Sequence, residues 1–152
     1  MEDTTCYAFF LIRSAGKLDY YNGFIPSENS AFNPDEITNA IGIKPFKTIK
    51  YGTLRDNGKG TYNFSSWYGC KQVEPDVSRL QQCNKIVEEL KSHVPVLMQF
   101  KEKYNLSFSI QIFPCAENKK CGDVIGFTRE IIDFCYMTGT EIVVDMFLYS
   151  KP

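Results

Sequence analysis

Six apolar residues in succession, Tyr7 to Ile12, sit inside the segment Cys6–Arg13, and a run this short, rich in aromatic and β-branched side chains and leading into Ser14-Ala15-Gly16, predicts a buried strand. Residues 17–31 carry Gly23, Pro26 and several polar side chains and read as a loop. The next segment holds the clearest local signal in the chain. Asn33 suits a helix cap, Pro34 the first helical position, and Asp35 and Glu36 the positive end of the helix dipole. Ile37, Ala40 and Ile41 then supply an apolar stripe, and Gly42 stops a short helix.

Lys47–Leu54 and Thr61–Trp67 are extended in character, and Asp56-Asn57-Gly58 between them is a tight-turn signature, so a hairpin is expected. Leu80, Cys83, Val87, Leu90 and Val94 alternate steps of three and four, which makes Asp76–Val94 an amphipathic helix. Pro95 breaks or kinks it, and Val96–Tyr104 continues as a second helical piece, since proline is tolerated in a first turn. Leu106–Phe113 alternates apolar and polar residues like a half-buried strand. After a polar loop over 114–126, Thr128 caps a helix that turns Ile131, Ile132 and Cys135 to the core, with Phe127 placed to staple against Ile132. Gly139 ends it, and Glu141–Tyr149 forms the last strand. The order β-α-β-β-α-α-β-α-β predicts a two-layer α+β fold: a mixed or antiparallel sheet of about five strands with helices on one face.

A chain of 152 residues fits one domain over 1–152, able to bury a single core without staples or metals. Met1-Glu2-Asp3 lacks the positive charge of a secretory signal, and no stretch approaches a membrane helix, so a cytoplasmic location is expected. Six cysteines, scattered through a chain with apolar residues enough for a core, read as reduced thiols. Charge changes the picture more than composition does. Between Lys44 and Lys71 lie six basic residues against one acid, Asp56; this local +5, in a chain of net charge −1, leaves −6 for the rest.

Candidate chemistry is sparse. The only histidine, His93, stands near the end of a helix and lacks the partners of a triad. Cys115 and Cys121 form no second pair for a structural zinc, and Glu130 and Asp133 read as a solvated acidic face. A phosphate-binding P-loop fails on spacing: five residues separate Gly52 from Gly58, and Gly60 follows Lys59. The candidate ligand site is the basic hairpin itself, Lys44, Lys47, Lys50, Tyr51, Arg55, Lys59, Trp67 and Tyr68, in which cations would meet phosphate and rings would stack on a base. The bland reading of the same residues is a solvated hairpin whose Trp67 belongs to the core. Duplex nucleic acid is not an expected partner of an acidic chain with pI 5.9.

The strand CYAFFLIR, the block Phe32-Asn33-Pro34-Asp35-Glu36-Ile37-Thr38 with Ile41-Gly42-Ile43-Lys44-Pro45, the glycine at Gly52, Trp67, and the closing Asp145–Tyr149 together resemble the bacterial and phage family catalogued as domain of unknown function 4279. The resemblance spans nearly the whole chain and implies a compact stand-alone domain. It brings no catalytic residues with it, and small orphan domains of this kind are associated with immunity and phage counter-defence. The expectation is a non-enzymatic binding protein, without cofactor or metal, that sequesters a small anionic nucleotide-like signal. Two alternatives stand beside it. One is an immunity or inhibitor protein that binds a protein partner such as a toxin through exposed aromatics such as Tyr20, Tyr21 and Tyr68; the other is an enzyme whose carboxylates only the fold brings together.

Overall fold

The structure, a computed structural model, describes residues 6–74, 76–114 and 126–145. Its centre is β1 (Tyr7–Ser14), the apolar run, which pairs antiparallel with β5 (Ser66–Gln72) on one side and with β6 (Leu106–Phe113) on the other. The short β4 (Lys47–Ile49) adds to β5 antiparallel, and β7 (Glu141–Val144) adds to β6 in parallel, giving a mixed five-stranded sheet of order β4-β5-β1-β6-β7. The expected α+β fold is therefore present.

Four helices close one face of this sheet. In α1 (Pro34–Ile41), Asn33 accepts a hydrogen bond from the Asp35 amide and Gly42 stops the helix at φ 72°, as the cap signals predict. α2 (Arg79–Leu90) starts three residues later than the apolar spacing suggests, because Ser78 and Gln81 form a capping box that fixes the first turn. A single 3-10 turn, Lys91–His93, links α2 to α3 (Val94–Tyr104), with Pro95 in the first turn of α3 where its missing amide costs nothing. α4 (Arg129–Thr138) is capped by Thr128 and stopped by Gly139 at φ 65°.

Every second residue of β1, namely Ala8, Phe10 and Ile12, meets Phe108, Ile110 and Ile112 of β6 and Trp67 of β5 in one core with Ile37, Ile86, Leu90, Leu97, Ile131 and Phe134 of the helices. Two expectations for α4 are corrected here. Phe134, not Ile132, is the inward partner of Ile131, because three and seven residues on from Ile131 the helix returns to the same face, at Phe134 and Thr138. Ile132 is 54% exposed and Phe127 36%, so neither contributes to the core, while Cys135 is half-buried at its margin.

The segment 17–31 is not a plain loop. β2 (Gly16–Asp19) and β3 (Gly23–Pro26) form a separate two-stranded hairpin. The basic hairpin exists, but its first strand stops at Ile49 instead of Leu54 and its second is displaced toward the C-terminus, to Ser66–Gln72. Only Lys47–Ile49 pairs with Ser66–Tyr68; residues 50–65 are a long excursion joined by one bridge, Leu54–Thr61. Positive φ at Gly52, Gly58 and Gly60 winds the chain there instead of extending it. The loop bearing Cys115 and Cys121, and the end of the last expected strand beyond Asp145, lie outside the described residues. No helix among the described residues is long and apolar enough to cross a membrane.

Candidate functional site

Since Ala8, Phe10 and Ile12 face the helices, alternation turns Tyr7, Phe9, Leu11 and Arg13 to the other side of the sheet. Residues paired across strands share a face. Phe113, Gln111, Ser109 and Ser107 of β6 therefore lie beside them, with Tyr68 of β5 next to Leu11 and Lys47 of β4 next to Tyr68. No helix among the described residues packs on this outer face. Phe46, just ahead of β4, joins it: its amide donates out of register to the Tyr68 carbonyl at 2.9 Å, and its ring meets Phe9 and Tyr68.

Five rings meet there. Phe9 is edge-on to Phe46 at 5.3 Å between centroids and lies 5.8 Å from both Tyr68 and Phe113, while Tyr7 stacks on Phe113 at 4.5 Å. These are the offset and edge geometries that the aromatic quadrupole favours. Two ammonium groups rest on the cluster: Lys47 Nζ is 5.4 Å from the Tyr68 centroid, and Lys71 Nζ is 5.0 Å from Tyr7 and 4.9 Å from Phe46. Neither has a carboxylate partner among the described residues. Arg13 lies 5.2 Å over Phe24 of β3, next to Phe64, so the basic and aromatic character continues toward the β2–β3 hairpin.

Lys71 reaches this face through a β-bulge. Gly69 pairs with Phe10 and Tyr68 with Leu11, but the next pair is Ala8 with Gln72, which leaves Cys70 and Lys71 together opposite Phe9. Cys70 adopts a left-handed backbone at φ 56° and tucks its thiol into the core. Burial, with Glu89 nearby, pushes that thiol's pKa far up. In a regular strand Cys70 would point outward and Lys71 would oppose Ala8 in the core; the extra residue exchanges them.

The eight residues expected to form one site do not come together. Trp67 is 0% exposed on the helix side, where its Nε1 donates to Thr38 Oγ1 at 3.0 Å, so its ring has no free face for a base. Lys50 is paired with Asp35 of α1 at 2.6 Å. Arg55 donates through Nε to the Thr61 carbonyl at 3.1 Å and covers Tyr62, and Tyr51 and Lys59 are exposed on the same excursion. Lys44 is exposed ahead of β4. Only Lys47 and Tyr68 belong to the aromatic face. Tyr7, Phe9, Phe46, Lys71 and Phe113 were missed, although an unbroken apolar run in a two-layer protein already signals a strand that is apolar on both faces.

At the tip of the β2–β3 hairpin, Tyr20 and Tyr21 are 93% and 88% exposed and Leu18 86%. Asp19 Oδ1 accepts hydrogen bonds from the amides of Tyr21 and Asn22, which fixes the turn and lowers the Asp19 pKa. Among the described residues no three metal-ligating side chains gather, and Glu130 and Asp133 are exposed. Cys70, Cys83 and Cys135 are free, but Cys6 is disulfide-bonded, so reduced thiols do not hold for every cysteine.

The model of the family described as Domain of unknown function (DUF4279) matches residues 4–149. No curated protein and no solved structure matches the chain.

Proposed function

The chain belongs to the DUF4279 family, for which no activity is known, and we propose that it is a binding protein, not an enzyme, whose outer sheet face, on which no described helix packs, takes and sequesters a small anionic ligand with a flat ring, of the nucleotide kind. The observation that carries this reading is the pair Lys47 and Lys71, two ammonium groups resting on an aromatic cluster with no carboxylate partner among the described residues. A cation on an exposed ring gains about 0.5–1 kcal/mol, whereas a charge-assisted hydrogen bond is worth about 1.5–3 kcal/mol, so a phosphate draws both lysines off their rings and frees the ring faces. A base stacked on an aromatic side chain adds about 1–3 kcal/mol. A nucleotide signal is met in the cytoplasm, where this reading puts the protein.

The test is a thermal-shift screen against linear and cyclic nucleotides, in which a ligand at 100 times its Kd adds about 2.7 kcal/mol. Lys47→Glu with Lys71→Glu should abolish the shift, and Lys50→Glu should leave it, since Lys50 serves Asp35. No shift with any nucleotide, or equal loss in both variants, overturns the reading; a product formed during incubation overturns the non-enzymatic part.

A second reading is favoured by the hairpin tip. Leu18, Tyr20 and Tyr21 are large exposed side chains, the two rings edge-on at 5.1 Å, and would serve as anchors for a protein partner, as in an immunity or inhibitor protein. A stoichiometric partner recovered with the wild type and lost with Tyr20→Ser/Tyr21→Ser would put this reading first.

A further inference from the structure

An arginine guanidinium stays charged at any pH a folded protein meets, so a buried one needs an anion or a full set of acceptors around its five N–H donors. Arg79 has neither. It is 3% exposed, and its hydrogen bond runs from Nη2 to the Val77 carbonyl. Nε and Nη1 are buried without a partner. The carboxylate of Glu74 is taken by Lys85 at 2.6 Å, and Asp76 is exposed.

Its placement makes the shortage worse. Arg79 is the first residue of α2, where the helix dipole is positive, and the first turn of α2 carries no acid to offset either charge. One turn further on, Gln82 is 0% exposed and also incomplete. Its Nε2 donates to the carbonyls of Cys6 at 3.4 Å and Glu74 at 3.3 Å, while Oε1 has no partner. Turning the amide over would set Oε1 against two carbonyls, so the orientation stands and Oε1 is left wanting a donor. Two unused cationic donors and one unused acceptor, three residues apart on one helix, ask for a group that is anionic and carries a hydrogen of its own.

We propose that Arg79 and Gln82 form a site for a phosphate group, free or as a monoester, whose charged oxygens take the Nε and Nη1 donors and whose P–OH donates to Gln82 Oε1. The site lies on the helix side of the sheet, so it does not rest on the reading of the aromatic face. Thermal unfolding of the full chain in inorganic phosphate, against sodium chloride at matched ionic strength, reads it directly. The wild type should show a saturable rise in Tm. Arg79→Met should keep only the gradual rise that phosphate gives any protein by exclusion from its surface. Without phosphate Arg79→Met should melt no lower than the wild type, because it removes an unpaired buried charge. Lys47→Glu/Lys71→Glu should retain the saturable response. Adenosine monophosphate in place of phosphate separates the sources: a higher midpoint or no response means a free-phosphate site, and an equal or lower midpoint a site that takes the monoester. Should Arg79→Met not fold, Arg79→Lys should raise the phosphate midpoint about tenfold, the loss of one charge-assisted hydrogen bond. Identical phosphate responses in wild type and variant overturn the proposal, and so does the absence of 31P line broadening with the wild type.

Discussion

Adding one methyl group at Gly69 should destabilise this protein, although glycine-to-alanine replacement in open space stabilises. Gly69 lies on the helix side of β5, two residues after Trp67, and the indole is folded across its Cα. A Cβ at position 69 would come within 2.2 Å of Trp67 Cη2, 2.4 Å of Cζ3 and 2.9 Å of Cζ2. Carbon atoms pack at about 3.5–4.0 Å, so the ring would have to retreat by more than an ångström. It has nowhere to go, being 0% exposed and held by the Nε1 hydrogen bond to Thr38. Overpacking of this kind costs about 1–3 kcal/mol. The opposing effect, a less flexible unfolded chain when glycine becomes alanine, returns about 0.4–1 kcal/mol, so Gly69→Ala should lose about 1.3 kcal/mol net. The three clashing atoms are the outer edge of the indole, which phenylalanine lacks. Trp67→Phe alone should cost about 2 kcal/mol through the void and the lost hydrogen bond. The double variant should then be no worse than Trp67→Phe, giving a coupling of about 1.3 kcal/mol where independent sites would add. Urea unfolding followed by far-UV circular dichroism measures all four corners of the cycle. Single costs that add within about 0.5 kcal/mol, or a neutral Gly69→Ala, would refute the packing argument.

Burial pushes the Cys83 thiol from its ordinary 9.0 up to about 12, so the folded state keeps a proton that the unfolded state has lost. That contribution is fully present below pH 9 and is lost as pH rises toward 12, at up to about 1.4 kcal/mol per unit; Cys83→Ala should flatten this part of a stability–pH profile, and identical profiles would contradict it. Ser78→Ala removes the capping box of α2 and should cost about 1 kcal/mol in urea unfolding, with Ser78→Gly milder by most of that amount. Alkylation of the denatured, unreduced protein should leave Cys6 unlabelled and label Cys70, Cys83 and Cys135; a labelled Cys6 would restore the reading of reduced thiols.

Where local chemistry decides structure, the sequence was readable. Asn33, Pro34 and Gly42 bound α1 as written, and Pro95 separates α2 from α3, because caps and proline act through their own backbone neighbours. The β2–β3 hairpin escaped notice because its four-residue strands are too exposed to show alternation, although Asn22-Gly23 carried a turn signal that the structure uses, with Gly23 at φ 73°. The site was legible only in part. Charge clustering along the chain groups Lys47 with Lys50 and Arg55, but the fold sends Lys50 to α1 and Arg55 to the excursion. Period-two counting assigns Lys71 to the core with Trp67 and Gly69, and the bulge at Cys70 reverses that parity. A long-range register is set by pairing across strands, and no window of one strand contains it.

The burial of Trp67 gives the two sides of the sheet separate optical identities. The indole, the one tryptophan of the chain, is enclosed between β5 and α1, whereas Tyr7 and Tyr68 belong to the opposite face with Lys71 and Lys47 above them. Light absorbed by tryptophan alone therefore reports the docking of α1 and stays blind to events on the aromatic face, while tyrosine absorbance and emission respond to whatever displaces the lysines. A titration that changes the tyrosine signal under a constant tryptophan spectrum marks an event away from the indole, and its loss in Tyr7→Phe/Tyr68→Phe assigns that event to the outer face. A blue or red shift of the tryptophan band marks a change in the core, and the two need no label to be told apart.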